Sequence, residues 1–393
     1  MPLQKYRFFV NEGMCSPVPT GPCTWEVIDW DRRRWLRIHG PKNAFPEDDY
    51  IEEFAARYAD QVGEDEQTLT SNEHRELIGV SSDDPTWEIR YPHYVGPLDE
   101  ETVIFRSNLK EVERLDVATD LVEYSQTDGV TKQLVFKYTL IQTRVENVWQ
   151  ELHILKALQG NKRFVPFYRI VLDEVTHNIL GFTTKYIPGG TLEQYRGTFY
   201  FRWLKQLTDA VDELNLRYGL MHQDLAPRNI LIDPTTQELL VFDFDRSGQI
   251  GGKGASRGCN DVDALVFTIY ETLTLDESFR EGLPWEQDVS KVENMKKWEL
   301  KLPLEDGVDI AVYRDFLARW ADERRTTRTI KHFSEASEPL TWPEYGKLEM
   351  IEVSEDEYGV RMSFRRKRKH VEGAGGYVTR WERAAQEAVK GYN

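Results

Sequence analysis

Apolar residues in the first hundred positions follow two periodicities, one typical of strands and one typical of a helix. Short apolar runs from Trp25 to Trp30 and from Trp35 to His39 favour strands. After Pro46, five apolar residues recur at helical spacing: Ile51, Phe54, Ala55, Tyr58 and Val62. Because residues three, four and seven apart share one face of a helix, this spacing predicts a helix with a buried face that starts near Pro46.

From Leu109 the pattern predicts a strand hairpin and then several helices. Apolar residues from Leu121 to Tyr124 and from Leu134 to Tyr138 flank a turn at 127–129. Apolar stripes at helical spacing then predict helices over 144–158 and 199–217. Three later segments continue the pattern, namely a helix that begins at Asp261, an apolar-periodic stretch from Val312 to Trp320, and a strand pair near Leu348 to Phe364.

The composition is that of a globular protein with an acidic surface. The chain has 393 residues, of which 40% are hydrophobic and 30% charged, and its formal net charge is −17. This charge argues against general binding of nucleic acid, because phosphates would be repelled. Three cysteines make no disulfide framework and favour a reduced intracellular compartment. The sequence shows neither a signal peptide nor an apolar run long enough to span a bilayer, so no membrane insertion is expected.

Residues 220–245 contain the most informative motif of the chain. His222, Asp224 and Asn229 form a His-x-Asp-x4-Asn pattern, and two apolar runs joined by a turn then lead to Asp243. A phosphoryl-transfer site needs a carboxylate near the incoming hydroxyl and oxygen ligands for magnesium. Asp224 suits the first role, and Asn229 and Asp243 suit the second. The alternative is a surface hairpin with incidental acidic residues.

This motif and its surroundings resemble those of the protein-kinase-like superfamily over roughly residues 110–340. The resemblance implies an α+β, two-lobed kinase-like fold. It divides the chain into four parts: an N-terminal accessory region (1–108), a small lobe (109–183), a large lobe (184–344) and a short C-terminal tail (345–393). The accessory region either packs on the small lobe or recruits a substrate. The chain looks like a divergent, fungal-type kinase-like protein.

The resemblance also implies a nucleotide site between the lobes. Lys137 is similar to the lysine that grips the ATP phosphates, and Glu151 would hold it, with Glu146 as the competing candidate. Thr184 resembles the residue at the entrance to the connection between the lobes. The segment GFTTKYIPGG then places the adenine-binding backbone at Lys185, Tyr186 and Ile187. Val122 is expected to contact the nucleotide from the strand before Lys137.

On the large-lobe side, the resemblance assigns the chemistry to the catalytic loop. Asp224 would orient and deprotonate an acceptor hydroxyl, and Arg228 would supply the positive charge missing at Ala226. Asn229 and Asp243 would bind Mg²⁺. Asp245 is either an additional metal ligand or a turn residue. Two further residues are expected to be structural, His222 behind the metal loop and Asp261 beneath the catalytic loop.

Four departures from the family pattern bear on the function. The loop expected over the phosphates, Leu115 to Asp120, has no glycine, and Asp116 and Asp120 would repel phosphate. Gln223 stands where regulated kinases have an arginine that reads a phosphorylated loop. Only 18 positions separate Asp243 from Asp261 (261 − 243), which argues against extended peptide acceptors. Asp245 replaces the glycine of Asp-Phe-Gly, as in small-molecule phosphotransferases.

The sequence therefore predicts an ATP- and Mg²⁺-dependent phosphotransferase whose acceptor is a protein or a small molecule. The alternative is a pseudokinase that acts as a binding or regulatory scaffold. The expected partners are ATP and an unidentified acceptor, and the expected location is the cytoplasm, with the nucleus as an alternative. That alternative rests on the basic run 365–369, which is either a nuclear-import or acidic-partner patch or a solvated tail.

Overall fold

The protein has a mixed α/β architecture. The computed structural model describes residues 7–16, 21–99, 101–348, 350–356, 359–363 and 365–383. These residues contain seven α-helices: α1 Asp48–Tyr58, α2 Val145–Ala157, α3 Phe201–Asp212, α4 Asp261–Thr274, α5 Ser290–Glu293, α6 Ile310–Thr326 and α7 Arg368–Gly373. The predicted helices at Pro46, 144–158, 199–217 and Asp261, and the segment from Val312 to Trp320, are confirmed, although the 199–217 segment ends in a π-helical turn, Glu213–Arg217.

The first sheet forms an N-terminal unit with α1. Its five strands are β1 Phe8–Cys15, β2 Pro22–Asp29, β3 Arg34–Pro41, β4 Thr68–Ser71 and β5 Leu77–Ser81. They are adjacent in sequence order, and only the pairing of β3 with β4 is parallel. A parallel pair needs a crossover connection, which α1 provides. Ile51, Phe54 and Ala55 of α1 are buried against this sheet, as the helical spacing predicted.

The second sheet contains the predicted hairpin. Its strands are β6 Val103–Phe105, β7 Leu109–Asp116, β8 Thr119–Ser125, β9 Thr131–Tyr138, β10 Phe167–Leu172 and β11 Ile179–Lys185. Their spatial order is β6-β10-β11-β9-β8-β7. The helix α2 lies between β9 and β10 in sequence and packs on one face of the sheet, which we call the inner face.

Helices dominate the remainder of the chain, with short strand pairs between them. These strands are β12 Leu220–Met221, β13 Ile230–Ile232, β14 Leu239–Val241, β15 Gly248–Gln249, β16 Ile351–Asp356 and β17 Gly359–Ser363. The pairs β13–β14 and β16–β17 confirm the two hairpins predicted there. One large apolar core joins α3, α4 and α6 to α2 and the inner face of the second sheet.

The outer face of the second sheet is covered by the N-terminal unit. Trp30 and Trp35 share a buried cluster with Val122, Phe136 and other residues of β8 and β9. The N-terminal unit therefore packs directly on the six-stranded sheet.

The basic run 365–369 is ion-paired within the chain, which corrects the expectation of a freely solvated tail. Each of its five cations forms an ion pair with acidic residues, and most of these acids belong to the N-terminal unit and the segment after it. The pairs are Arg365 with Glu12 and Glu26, Arg366 with Glu88, Lys367 with Glu26, Arg368 with Asp84 and Glu382, and Lys369 with Asp83. The acidic partner of this run is thus the same chain.

The cysteines also differ from expectation. Cys15 and Cys23 are directly opposite each other on β1 and β2 and form a disulfide. The register of an antiparallel pair brings such positions together although eight residues separate them in sequence. Within the described part of the chain, helices long and apolar enough to cross a membrane are absent.

Candidate functional site

Three of the predicted nucleotide and metal residues meet at the inner face of the second sheet. Lys137 of β9 lies with its Nζ 2.6 Å from Oε2 of Glu151 on α2, and it also contacts the carboxylate of Asp243. Glu146 instead pairs with Lys253, at 2.9 Å. The structure thus brings Glu151, and not the competing Glu146, to the lysine. Three segments that are far apart in sequence form one ion-paired cluster.

The electrostatics of this cluster follow from its burial. Burial alone would lower the pKa of Lys137, but the carboxylates of Asp243 and Glu151 outweigh it and raise that pKa. Burial also raises the pKa of Glu151 to about 7. The pKa of Asp243 is lowered, because the charge of Lys137 outweighs the effect of burial. Lys137 therefore stays a cation, and Asp243 stays a carboxylate.

The backbone at Gly181 and Asp243 allows the segments that carry Lys137, Glu151 and Asp243 to lie close together. Gly181 of β11 lies opposite Tyr138 on β9, and a side chain at Gly181 would collide with the carbonyl of Lys137. Asp243 adopts a left-handed backbone conformation with φ +67°, which is uncommon outside glycine. Its neighbour Phe244 donates its backbone N–H to Glu151 Oε1 at 3.1 Å. The loop after β14 is thereby fixed to α2.

The loop from His222 to Asn229 places three predicted residues side by side. Arg228 donates to Asp224 Oδ1 at 2.5 Å. The amide nitrogen of Asn229 donates to the backbone carbonyl of Asp224 at 2.8 Å and to its Oδ2 at 3.1 Å. Because the amide nitrogen of Asn229 is engaged in this way, its oxygen is directed elsewhere and can serve as a metal ligand.

Asp261, at the start of α4, supports this loop from beneath. It accepts hydrogen bonds from the backbone amides of His222, at 2.8 Å, and Gln223, at 2.9 Å. Asn215 donates to it as well, at 2.9 Å. His222 is buried, and its ring lies 5.0 Å from that of Phe244 and is hydrogen-bonded to Phe242 O at 2.8 Å. Both residues have the structural positions expected of them.

Asp245 lies near this cluster and is partly buried. Burial raises the pKa of its carboxyl, and the carboxylate of Asp243 adds to the effect. A raised pKa shows that the surroundings do not fully stabilise a negative charge at Asp245. A bound cation would supply that stabilisation.

The expected contact of Val122 with the nucleotide is wrong. Val122 lies opposite Leu134, and Leu134 is on the face of β9 away from Lys137. Its side chain is fully buried in the outer cluster with Phe136. Leu121 is on the Lys137 face instead. The prediction from the sequence was therefore wrong by one position, and a shift of one residue moves a side chain to the opposite face of a strand.

The residues expected around adenine lie at the end of β11. Thr184 is buried and opposite Val135, on the same face as Lys137. Lys185, Tyr186 and Ile187 follow directly. The amide of Lys185 donates to Pro166 O at 2.9 Å, so this amide is already engaged.

Three supporting residues were missed from the sequence. The guanidinium of Arg280 donates to Leu225 O at 2.6 Å and pairs with Glu271 at 2.8 Å. The signal was present, since Glu271 is an acid within the apolar part of α4 that follows Asp263, and a buried charge there needs a partner. Gln223 donates to Arg246 O at 2.7 Å and Gly254 O at 2.8 Å and accepts from Ser256 N at 2.6 Å. It therefore fixes the segment 246–256 by direct hydrogen bonds.

A cavity of about 1260 Å³ opens beside the catalytic loop. Its lining includes Asp224, Arg228 and Asp245 on one side and Arg257, Glu277 and Trp285 on the other. Lys137 and residues 184–187 are not part of that lining. The cavity thus adjoins Asp224 without being lined by Lys137.

Comparison with known proteins gives partial similarities to two kinases. Over 179 residues the chain is 22% identical to the cell cycle serine/threonine-protein kinase hsk1 of Schizosaccharomyces pombe, covering 44% of this chain and 32% of that protein. Over 111 residues it is 32% identical to casein kinase II subunit alpha' of Saccharomyces cerevisiae, covering 26% of this chain and 30% of that protein. The chain spans about a third of the length of these curated relatives. No protein-family model matches it. These similarities indicate a distant relationship to protein kinases.

Proposed function

We propose that the protein is an ATP- and Mg²⁺-dependent phosphotransferase that transfers the γ-phosphate to a hydroxyl. The observation that carries this proposal is the convergence of Lys137, Glu151 and Asp243 from three separate segments. The catalytic loop with Asp224 adjoins this cluster. Phosphoryl transfer is achieved mainly by positioning and electrostatics, and these side chains provide both.

We assign to the chain a two-lobed kinase-like fold. The small lobe would be the six-stranded sheet with α2, and the large lobe would follow Thr184 and extend to residue 344. Since β6 pairs with β10, the small lobe would begin before Val103 rather than at residue 109. The accessory region would then be the N-terminal unit, packed on the small lobe.

The nucleotide would bind between the two lobes. Lys137 would hold the α- and β-phosphates, and Glu151 would keep the lysine in place. Adenine would meet the backbone of Lys185, Tyr186 and Ile187 behind Thr184. Leu121 takes over the contact expected of Val122, because it is on the Lys137 face.

The oxygen donors near Asp224 suit a hard divalent cation. Asn229 and Asp243 would hold Mg²⁺, which when bound neutralises charge on the phosphates. The engaged amide nitrogen of Asn229 leaves its oxygen for this role. Asp245, with its raised pKa, is a candidate for a further ligand.

Asp224 would orient the acceptor and remove its proton. The acceptor oxygen would bond to the γ-phosphorus as the bond from that phosphorus to the bridging oxygen of ADP breaks, and Asp224 would take the hydroxyl proton. Arg228 contacts Asp224 in the structure and would place positive charge beside the transferred group. The acceptor, a protein or a small molecule, would occupy the cavity beside Asp224. The cytoplasm remains the proposed location.

The test is release of ADP from Mg²⁺-ATP by the purified protein, with cell extract as a source of acceptor. Asp224→Ala and Asp243→Ala are each expected to lower kcat by ~10²-fold or more. Asp322→Ala, which removes an exposed acid on α6, is the matched control and should leave turnover unchanged. Turnover that survives both active-site substitutions would contradict the proposal.

A scaffold without turnover is the second candidate function. It is favoured by the turn between β7 and β8, whose residues Asp116 to Thr119 include no glycine. The repulsion expected from Asp120 does not apply, because that side chain is buried and paired with Arg33. Binding of Mg²⁺-ATP without ADP release above the level of the two alanine variants would support the scaffold.

A further inference from the structure

Arg33 connects the N-terminal unit to three adjacent strands of the second sheet. It lies in the turn between β2 and β3, and only 4% of its side chain is exposed. Its Nη2 is 2.6 Å from Oε1 of Glu111 on β7 and also contacts the carboxylate of Asp120 on β8. Its Nε donates to the hydroxyl of Tyr138 on β9, at 3.1 Å. One side chain thus joins β7, β8 and β9.

These contacts lie on the outer face, behind the expected nucleotide site. Asp120 is opposite Phe136, whereas Thr119 is opposite Lys137. Side chains alternate along a strand, so fixing Asp120 on the outer face holds Thr119 and Leu121 on the inner face beside Lys137. The position of β8 relative to Lys137 therefore depends on an arginine from another unit.

The turn of the β7–β8 hairpin also lacks a glycine, which would give its backbone the freedom to adapt to a ligand. It contains Ala118 in a left-handed conformation with φ +57°, where kinases use glycine. The carbonyl of Ala118 accepts from the backbone N–H of Tyr138 at 3.0 Å, which fixes the turn next to Lys137. A hairpin whose backbone does not adapt to the nucleotide has to be in the correct position before the nucleotide binds.

Arg33 and Asp120 depend on each other because both side chains are buried. Burial raises the pKa of Asp120, and the charge of Arg33 opposes that rise. The Arg33 guanidinium also lies over the ring of Tyr138, 4.5 Å from its centroid. Loss of the arginine would remove the cation in direct contact with the buried carboxyl of Asp120 and leave the smaller electrostatic effect of Arg114, so the hairpin would shift or loosen.

We propose that Arg33 is a positioning residue for the nucleotide, because it holds the β7–β8 hairpin in register over Lys137 from the N-terminal unit. This inference rests on the proposed phosphotransferase function. It makes the N-terminal unit a working part of the nucleotide site, rather than a module that only recruits a substrate.

The experiment compares Arg33→Met with Arg34→Met in the full chain. Arg34 is adjacent and equally buried, but its described hydrogen bonds all go to carbonyls of the N-terminal unit: Ala59, Gly63 and Glu64. For Arg33→Met we expect KM for Mg²⁺-ATP to rise by ~10-fold or more, with kcat changed by less than ~3-fold. Arg34→Met should leave KM unchanged, and Arg33→Lys should restore part of the affinity.

A second readout does not depend on turnover. Hydrogen exchange of the amides in 109–125 should become faster in Arg33→Met and stay at the wild-type rate in Arg34→Met. If Arg33→Met prevents folding, Arg33→Lys keeps a cation beside Asp120 but loses the planar group that also reaches Glu111 and Tyr138, and it should produce the same changes to a smaller degree.

The outcomes separate the two proposals. Turnover in the wild type with equal KM in the two methionine variants would overturn the role of Arg33 and leave the phosphotransferase standing. Unchanged exchange in 109–125 would overturn it whether or not the protein turns over ATP. A wild-type protein that neither binds nor hydrolyses Mg²⁺-ATP would overturn both.

Discussion

At the scale of single residues, the candidate site depends on charges that only their neighbours make stable. Lys137 keeps its charge in a buried position because Asp243 and Glu151 lie against it. On the outer face, burial raises the pKa of Asp120, and the charge of Arg33 opposes that rise. The sequence predicted candidate catalytic residues by their type and spacing, but it could not show that Asp120 is buried on the face of the sheet opposite to Lys137.

His153 gives a residue-scale prediction about pH. It lies on α2 with its ring against Trp149, and burial lowers the pKa of its imidazole from 6.5 to about 4. The folded state therefore favours the neutral ring. Above pH 6.5 the ring is neutral in both the folded and the unfolded protein, so His153 contributes its full stability. As the pH falls from 6.5 towards 4, the unfolded chain takes up a proton that the folded protein does not, and this stability is lost.

The measurement is the free energy of unfolding of the wild type and His153→Gln at pH 7 and pH 5. The stability of the wild type relative to the variant should decrease by ~1 kcal/mol between these pH values, a figure reduced for the partial exposure of the ring. His74→Gln is the control, since the His74 side chain is 73% exposed. An equal pH response in both variants would show that His153 is not responsible.

At the scale of elements, α4 is the support of the catalytic loop. Its first residue, Asp261, accepts from two loop amides, and Glu271 three turns later holds Arg280 against Leu225 O. The loop itself has little regular structure and contains Gln223 in a left-handed conformation, with φ +63°. Its shape is therefore imposed by the helix beneath it.

Asp261→Asn tests this support. An asparagine keeps one oxygen but turns an amide donor towards a backbone N–H, so one buried donor loses its acceptor. We expect the free energy of unfolding to fall by ~2–3 kcal/mol and turnover to fall with it. Asp263→Asn, which changes a partly exposed acid two residues further on, should cost less than ~1 kcal/mol. Denaturant unfolding of both variants measures the difference, and equal losses would refute the special role of Asp261.

At the scale of the whole molecule, the two ends of the described chain meet on the outer face of the second sheet. Trp381 stacks on Tyr138 with ring centroids 4.9 Å apart and donates to the hydroxyl of Tyr91 at 3.0 Å. Arg383 contacts Glu111, the same acid that Arg33 binds. The C-terminal segment 365–383 therefore fastens the N-terminal unit to the sheet.

Trp381→Ala should destabilise the protein by ~3 kcal/mol, because it removes a large buried ring and the partner of a buried hydroxyl. The matched control is Trp285→Ala, since Trp285 is 51% exposed and its removal should change the free energy of unfolding by less than ~1 kcal/mol. Thermal or denaturant unfolding distinguishes the two. A loss at Trp381 no larger than at Trp285 would mean that the C-terminal segment adds little to the assembly.

The local elements and the candidate chemistry could be predicted from residues close together in the chain. Periodicity predicted the helices at Asp48–Tyr58 and Val145–Ala157 and the β13–β14 hairpin, since burying one face requires a fixed spacing along the chain. The motif from His222 to Asp243 identified the candidate catalytic and metal residues by type. Both inferences use only residues close together in sequence.

Tertiary structure decided everything that depends on which distant surfaces meet. It reversed the face assigned to Val122, paired the basic run 365–369 with acids of the N-terminal unit and its following segment, and joined Cys15 to Cys23. It also placed Arg33 against Tyr138 on the outer face of the second sheet, more than a hundred residues away in the chain. A charge pattern gives the sign of a partner but not its identity, because that depends on how the whole chain packs.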